Sequence, residues 1–362
     1  MTTAHPKTRR VLGAALLAMA CASVCSCAAR TDTTERPPES PAGSEPAAAP
    51  EPARSIIERQ NHYRRTVNLP PIEYDATLSA GAEKHARYLL KNNLRAYHWY
   101  VADGKLGAGR LPIGAQAESP GNQWYSEEGA KAAKNATVLM GERVPADGAP
   151  IVDQIMTMPF SALTVLYPQF AAMGLGTYCE HDECVAVIAA RVGLDKGSFV
   201  KVYADPVAAR WNPANGPVPQ GPARLREPIE FPPSAGSTTL LAYHGNGTLD
   251  ALVSCEGYRA PSGAPITLAL GEGLGEDGLV TASEHSLSNS KGPVEHCVID
   301  AATYANPNGT LQALGRQRLL AVGAIVLIPR APLMPGEQYS VSITADRGTY
   351  AWSFSVAPAG GP

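Results

Sequence analysis

Residues 54–91 read RSIIERQNHYRRTVNLPPIEYDATLSAGAEKHARYLLK and hold two helical periodicities separated by Pro70-Pro71. In the first, Ile56, Ile57, Tyr63 and Val67 recur at helical spacing over 55–67, and the diproline stops it because proline lacks the donor a helix needs. In the second, Asp75 supplies an N-cap side chain, and Leu78, Ala82, His85 and Leu89 fall on one face. His85 therefore points inward, as a hydrogen-bonded core histidine or as a histidine lining a cleft.

Further along, Ser126-Glu127-Glu128 opens a predicted helix that runs to about Met140, with its acids at the positive end of the dipole. A fourth helix is expected over 151–158, ended by Pro159, and a short helical turn over 161–166. The pattern then changes to strands at 170–178, 184–192 and 199–203. Helices followed by an antiparallel meander predict a sheet covered by helices.

The chain of 362 residues has room for two domains and flanking segments. Its 44% hydrophobic and 17% charged residues exclude a largely disordered protein. Lys7, Arg9 and Arg10 precede an apolar run at 11–24, the layout of a secretion signal and too short for a spanning helix. Val24-Cys25-Ser26-Cys27 resembles a bacterial lipobox, so 1–27 is read as a lipoprotein signal with Cys27 as the lipidated residue and Cys21 as the alternative. Without the leader's three bases, 27 basic residues face 33 acidic ones, which argues against nucleic acid as a partner. Residues 28–53, rich in Ala, Pro and Glu, cannot bury a core and read as a tether from the membrane.

Beyond the leader the cysteines are Cys179, Cys184, Cys255 and Cys297, an even set suited to two disulfides in an oxidising compartment. Cys179-Glu180-His181-Asp182-Glu183-Cys184 reads as a disulfide-stapled hairpin loop or as a metal loop. Cys255 and Cys297 then pair by elimination.

Residues 205–235 are rich in proline and glycine and read as a linker with a first edge strand. Short β-rich runs follow at 238–243, 266–270, 294–299, 324–328, 339–345 and 350–356, predicting an all-β sandwich over 236–358. Gly271–Gly278 is an acidic glycine-rich loop, read as a hairpin connection or a calcium loop.

Four strings resemble the CAP (SCP) domain of cysteine-rich secretory proteins in its bacterial form. They are Asn61-His62-Tyr63-Arg64-Arg65 with Leu69 to Asp75 and His85 to Leu89; Ala117-Glu118-Ser119-Pro120-Gly121-Asn122 before Trp124; Pro159-Phe160-Ser161-Ala162-Leu163; and Leu166-Tyr167-Pro168 leading to Gly174-Leu175-Gly176. The resemblance implies an α-β-α sandwich with a cleft, over 54–204. Similarly, Leu333 to Val341 with Trp352-Ser353-Phe354 looks like the end of a bacterial immunoglobulin-like domain. The expected fold class is thus α+β, a CAP-like sandwich followed by an immunoglobulin-like one.

Many CAP domains gather two histidines and two acids in the cleft, a set that suits a divalent metal. Glu118 stands where one cleft glutamate is expected, but Gln116 and Ser161 stand where histidines are common. The cleft candidates are His85, His98, Glu118 and Ser161, with Glu118 and His98 as candidate ligands for zinc or calcium, although no cofactor is expected. No GxSxG, HExxH, P-loop or GxGxxG pattern marks a site, and the acidic Gly271–Gly278 loop would repel phosphate. Two functions follow: a lipid-anchored surface protein whose cleft binds a small apolar, glycan or peptide ligand, or an envelope hydrolase using Glu118 with His85 or His98.

Overall fold

The computed structural model describes residues 48–92, 100–102, 105–106, 117–134, 136–141, 144–181, 183–192, 225, 227–234, 236–245, 249–271, 279–345 and 347–359. The leader with Cys21 and Cys27, the strand expected at 199–203, His98, Gln116 and nearly all of the acidic glycine loop lie outside them. Among the described residues no helix is long and apolar enough to cross a membrane.

The first half contains helices α1 (Ala53–Thr66), α2 (Ala76–Lys91), α3 (Glu127–Ala133), α4 (Ala149–Thr157) and α5 (Pro159–Val165). Its strands are β1 (Glu73–Tyr74), β2 (Tyr100–Ala102), β3 (Lys105–Leu106), β4 (Thr137–Gly141), β5 (Phe170–Glu180) and β6 (Glu183–Val192). They form one mixed sheet in the order β1-β5-β6-β4-β2-β3. Helices α2 and α3 pack together and on β6, α2 also on β5, whereas α1, α4 and α5 pack on one another with α1 reaching β5. The result is a sheet between helical layers, as the resemblance implies.

Local chemistry explains the elements. Asp75 caps α2 by accepting from the Thr77 and Leu78 amides, at 2.9 and 3.0 Å. On the sheet beneath, Gly174 and Gly176 have no side chain, because a Cβ at either would run into the α2 backbone at Leu78–Ser79 or Ala82–Glu83. The helix therefore lies directly on β5. The helix expected to reach Met140 stops at Ala133; residues from Thr137 pair instead with Ile188 and its neighbours in β6. β-branched Thr137 and Val138 fit a pleated surface better than a helix.

Two short strings in α1 act as locks. Asn61 holds Ile72 with both arms of its amide, donating to the Ile72 carbonyl at 2.9 Å and accepting from its N–H at 2.7 Å. Arg64 is 0% exposed; it donates to the carbonyls of Pro70 (2.7 Å), Val165 (2.7 Å), Tyr167 (2.8 Å) and Phe170 (3.1 Å). One guanidinium thus ties α1 to the end of α5 and the start of β5. Burial lowers its pKa to about 10.

The second half contains β7 (Ile229–Phe231), β8 (Ser237–Thr238), β9 (Ala242–Tyr243), β10 (Ser262–Gly263), β11 (Ile266–Ala269), β12 (Glu284–Asn289), β13 (Gly292–Pro293), β14 (His296–Ile299), α6 (Gly309–Val322), β15 (Ala324–Pro329), β16 (Gln338–Ala345) and β17 (Gly348–Val356). A four-stranded sheet runs β14-β15-β11-β7 and a five-stranded sheet β13-β12-β16-β17-β8. Along β16 the burial alternates, with Tyr339, Val341, Ile343 and Ala345 inward, as expected for a sheet with one wet face. By contrast, α6 corrects the all-β expectation. Asn308 caps its start, and Gly323 ends it in the left-handed region at φ 55°.

The two halves share core contacts. The Tyr63 ring meets Phe231 edge-on at 5.8 Å, and Phe160 of α5 meets Tyr304 at 4.9 Å. Both expected disulfides form. Cys179–Cys184 closes the β5–β6 hairpin, with Cα atoms 4.1 Å apart, and so takes both thiols from the metal-loop reading; Cys255–Cys297 bridges 42 residues.

Candidate functional site

The centre of the first half is a pair of side chains. His85 Nδ1 lies 2.9 Å from Glu118 Oε1, and both side chains are 0% exposed. A carboxylate only accepts, so in this pairing Nδ1 carries the proton. The second carboxylate oxygen accepts from the Ser126 amide at 2.9 Å, at the N-cap of α3. Gly129 makes the approach feasible: a Cβ there would strike Glu118 Oε1. Ser126 Oγ in turn accepts from the Gly129 amide at 3.0 Å.

The loop that carries Glu118 is pinned to α2 along one helical face. His85 takes Glu118; Tyr88 Oη accepts from the Ser119 amide at 3.1 Å; Asn92 Oδ1 accepts from Asn122 Nδ2. Positions 85, 88 and 92 are spaced three and four apart, which puts them in one row. The Tyr88 ring also lies nearly parallel to the His85 ring, at 6.1 Å. Tyr88 and Asn92 are contacts that the sequence reading passed over, although their offset from His85 was a usable signal.

Of the candidates, the structure brings His85 and Glu118 together. Ser161 does not join them: it lies half-buried on α5, within the α1–α4–α5 group, and among the described residues no hydrogen bond links it to either. His98 lies outside the described residues, so the Glu118–His98 metal reading acquires no geometry. A general base must reach a substrate proton within hydrogen-bond distance. Both side chains of the pair are 0% exposed, and their contact ties α2 to the loop that carries Glu118.

Beside α2 lies a rim of cations and rings in which Arg87 is exposed and Lys91, Trp124, Tyr178 and Glu180 are half-buried. The Arg87 guanidinium sits 4.6 Å from the Trp124 ring centre and 5.9 Å from that of Tyr178, and Lys91 lies 5.2 Å from Trp124. Lys91 pairs with Glu180, which also accepts from Tyr178 Oη at 2.7 Å. Cations over aromatic faces of this kind contribute roughly 0.5–1 kcal/mol each when exposed.

Residues 57–189 match the profile of the cysteine-rich secretory protein family, CAP. The chain therefore carries a CAP domain at those positions. Among solved structures it is similar to an extracellular protein containing an SCP domain from Bacillus anthracis strain Ames, at 15% identity and a TM-score of 0.23. That likeness covers 38% of this chain and 40% of the other. A comparison with curated proteins finds no match.

Proposed function

We propose that this chain is an exported, lipid-anchored envelope protein whose CAP domain binds a ligand without catalysis. The observation that carries this reading is the complete burial of the His85 and Glu118 side chains, which meet at 2.9 Å while Glu118 also accepts from the Ser126 amide. The leader with Cys27, or Cys21, supplies the anchor, the residues after it the tether, and two disulfides suit an oxidising compartment. The second half, with its four- and five-stranded sheets, serves as an immunoglobulin-like spacer. The face for the ligand is the Arg87–Trp124–Tyr178 rim, with Arg87 exposed and the two rings half-buried, whose cations and flat rings suit a carboxylated envelope glycan.

The test uses isolated cell-wall sacculi. The purified chain is expected to sediment with them, to release no soluble sugar or peptide, and to lose at least tenfold in affinity on Trp124→Ala. Release of fragments by the parent chain that stops with Glu118→Gln would establish the hydrolase instead.

A further inference from the structure

Outside the CAP domain, two histidines meet between the sheets of the second half. His285 belongs to β12 in the five-stranded sheet and His296 to β14 in the four-stranded one. Their rings stand 4.9 Å apart at 75°, with His285 Nδ1 2.9 Å from His296 Nε2. His296 Nδ1 lies 2.7 Å from the Val294 carbonyl oxygen. A carbonyl cannot donate, so that nitrogen carries the ring proton, and Nε2 is left with the lone pair facing His285. A backbone carbonyl holding one ring nitrogen is also the usual way a protein orients a metal-binding imidazole.

The spacing fits an ion. Two imidazole nitrogens each about 2.0–2.1 Å from one metal, at an angle between about 90° and 110°, stand roughly 2.9–3.4 Å apart. Partial burial, and then the neighbouring His296, push the His285 imidazole below its ordinary pKa. Nearby acids do not compete for the site's chemistry: Glu284 precedes His285 in the strand and so points to the opposite face, and Glu295 is paired with Arg330 at 2.5 Å.

We propose that His285 and His296 bind one borderline divalent transition-metal ion, copper(II) before nickel(II) and zinc(II), with water completing its coordination, so that the ion clamps the two sheets. Imidazole selects this class over calcium and magnesium, which take oxygen ligands. On binding, the Nδ1 proton of His285 moves to its Nε2 through solvent, and the freed Nδ1 lone pair enters the metal; His296 keeps its proton on Nδ1. No net charge is lost from either ring.

Copper(II) and zinc(II) salts are titrated calorimetrically into the full chain without a histidine tag, followed by melting. The expected result is one copper(II) per chain and a rise in melting temperature of a few degrees. His285→Ala lowers the affinity at least tenfold while leaving the metal-free melting temperature near that of the parent. His296→Asn, whose amide still donates to the Val294 carbonyl, does the same. Binding that fails to saturate at one ion, or that persists unchanged in both variants, overturns the proposal.

Discussion

Replacing Arg64 with methionine is expected to lower the unfolding free energy by about 3–5 kcal/mol, the largest single-residue loss in the CAP domain. Methionine keeps roughly the aliphatic stem and removes the guanidinium, so the carbonyls of Pro70, Val165, Tyr167 and Phe170 lose its hydrogen bonds, Tyr167 keeping a backbone donor, the Phe170 amide. An orphaned buried polar group costs roughly 1–3 kcal/mol, and the sum is reduced because the variant no longer desolvates a charge. Arg64→Lys is expected to lose about half as much, since an ammonium keeps the charge but lacks the planar fork that reaches Pro70, Val165, Tyr167 and Phe170 together. Urea unfolding of the three proteins measures the order. A methionine variant within about 1 kcal/mol of the parent would remove Arg64 from its place as the lock of α1.

Glu118→Ala comes second, with an expected loss of about 3–4 kcal/mol. It leaves His85 Nδ1 and the Ser126 amide without an acceptor and opens a void beneath Gly129. Glu118→Gln should cost less, roughly 1–2 kcal/mol, because one oxygen remains for the Ser126 amide and the amide nitrogen can donate to His85 Nδ1 once the ring proton moves to Nε2. For roughly 300 folded residues at about 2.1 cal/mol/K each, every kcal/mol moves the melting temperature by about 1.5 °C, so thermal unfolding separates the two variants. An alanine variant that melts with the parent would show that the pair bears no structural load.

These two residues also mark what the sequence conveys and what it hides. Helix α2 was legible because every signal agreed: Asp75 caps it, and Ala82, His85 and Leu89, all fully buried, form its inner row. The β16–β17 hairpin was legible through period-two alternation. Arg64, by contrast, was visible only as part of a string, because its partners lie up to 106 residues away and are backbone carbonyls, which carry no side-chain signature. The α6 helix was hidden because its apolar residues lie on several sides rather than in one row. Its ends were signalled by Asn308 and Gly323, and those caps were the better guide. The run from Ser126 to Met140 failed in the opposite way: the start was read from a correct cap, and the end was overrun, since strand pairing with β6 outweighs helix propensity.

The candidate site follows the same division. His85 was placed inward from its offset alone, and Glu118 was singled out through its string, yet their 2.9 Å meeting depends on a loop whose course only the fold defines. Ser161 was drawn toward them by resemblance of position, but α5 packs with α1 and α4 rather than with α2. The disulfides were readable by counting, as no other cysteines remain after the leader.

The account rests on the His85–Glu118 pair being an interior strut, and histidine acylation by diethylpyrocarbonate, mapped by mass spectrometry on the native chain, tests this directly. His62, His181 and His244 are exposed and serve as internal standards. His85 is expected to react at least a hundredfold more slowly than they do, and to reach their rate once the chain is unfolded in urea. Native acylation of His85 at the rate of His62 would contradict the account, since it would show a histidine open to solvent and to substrate.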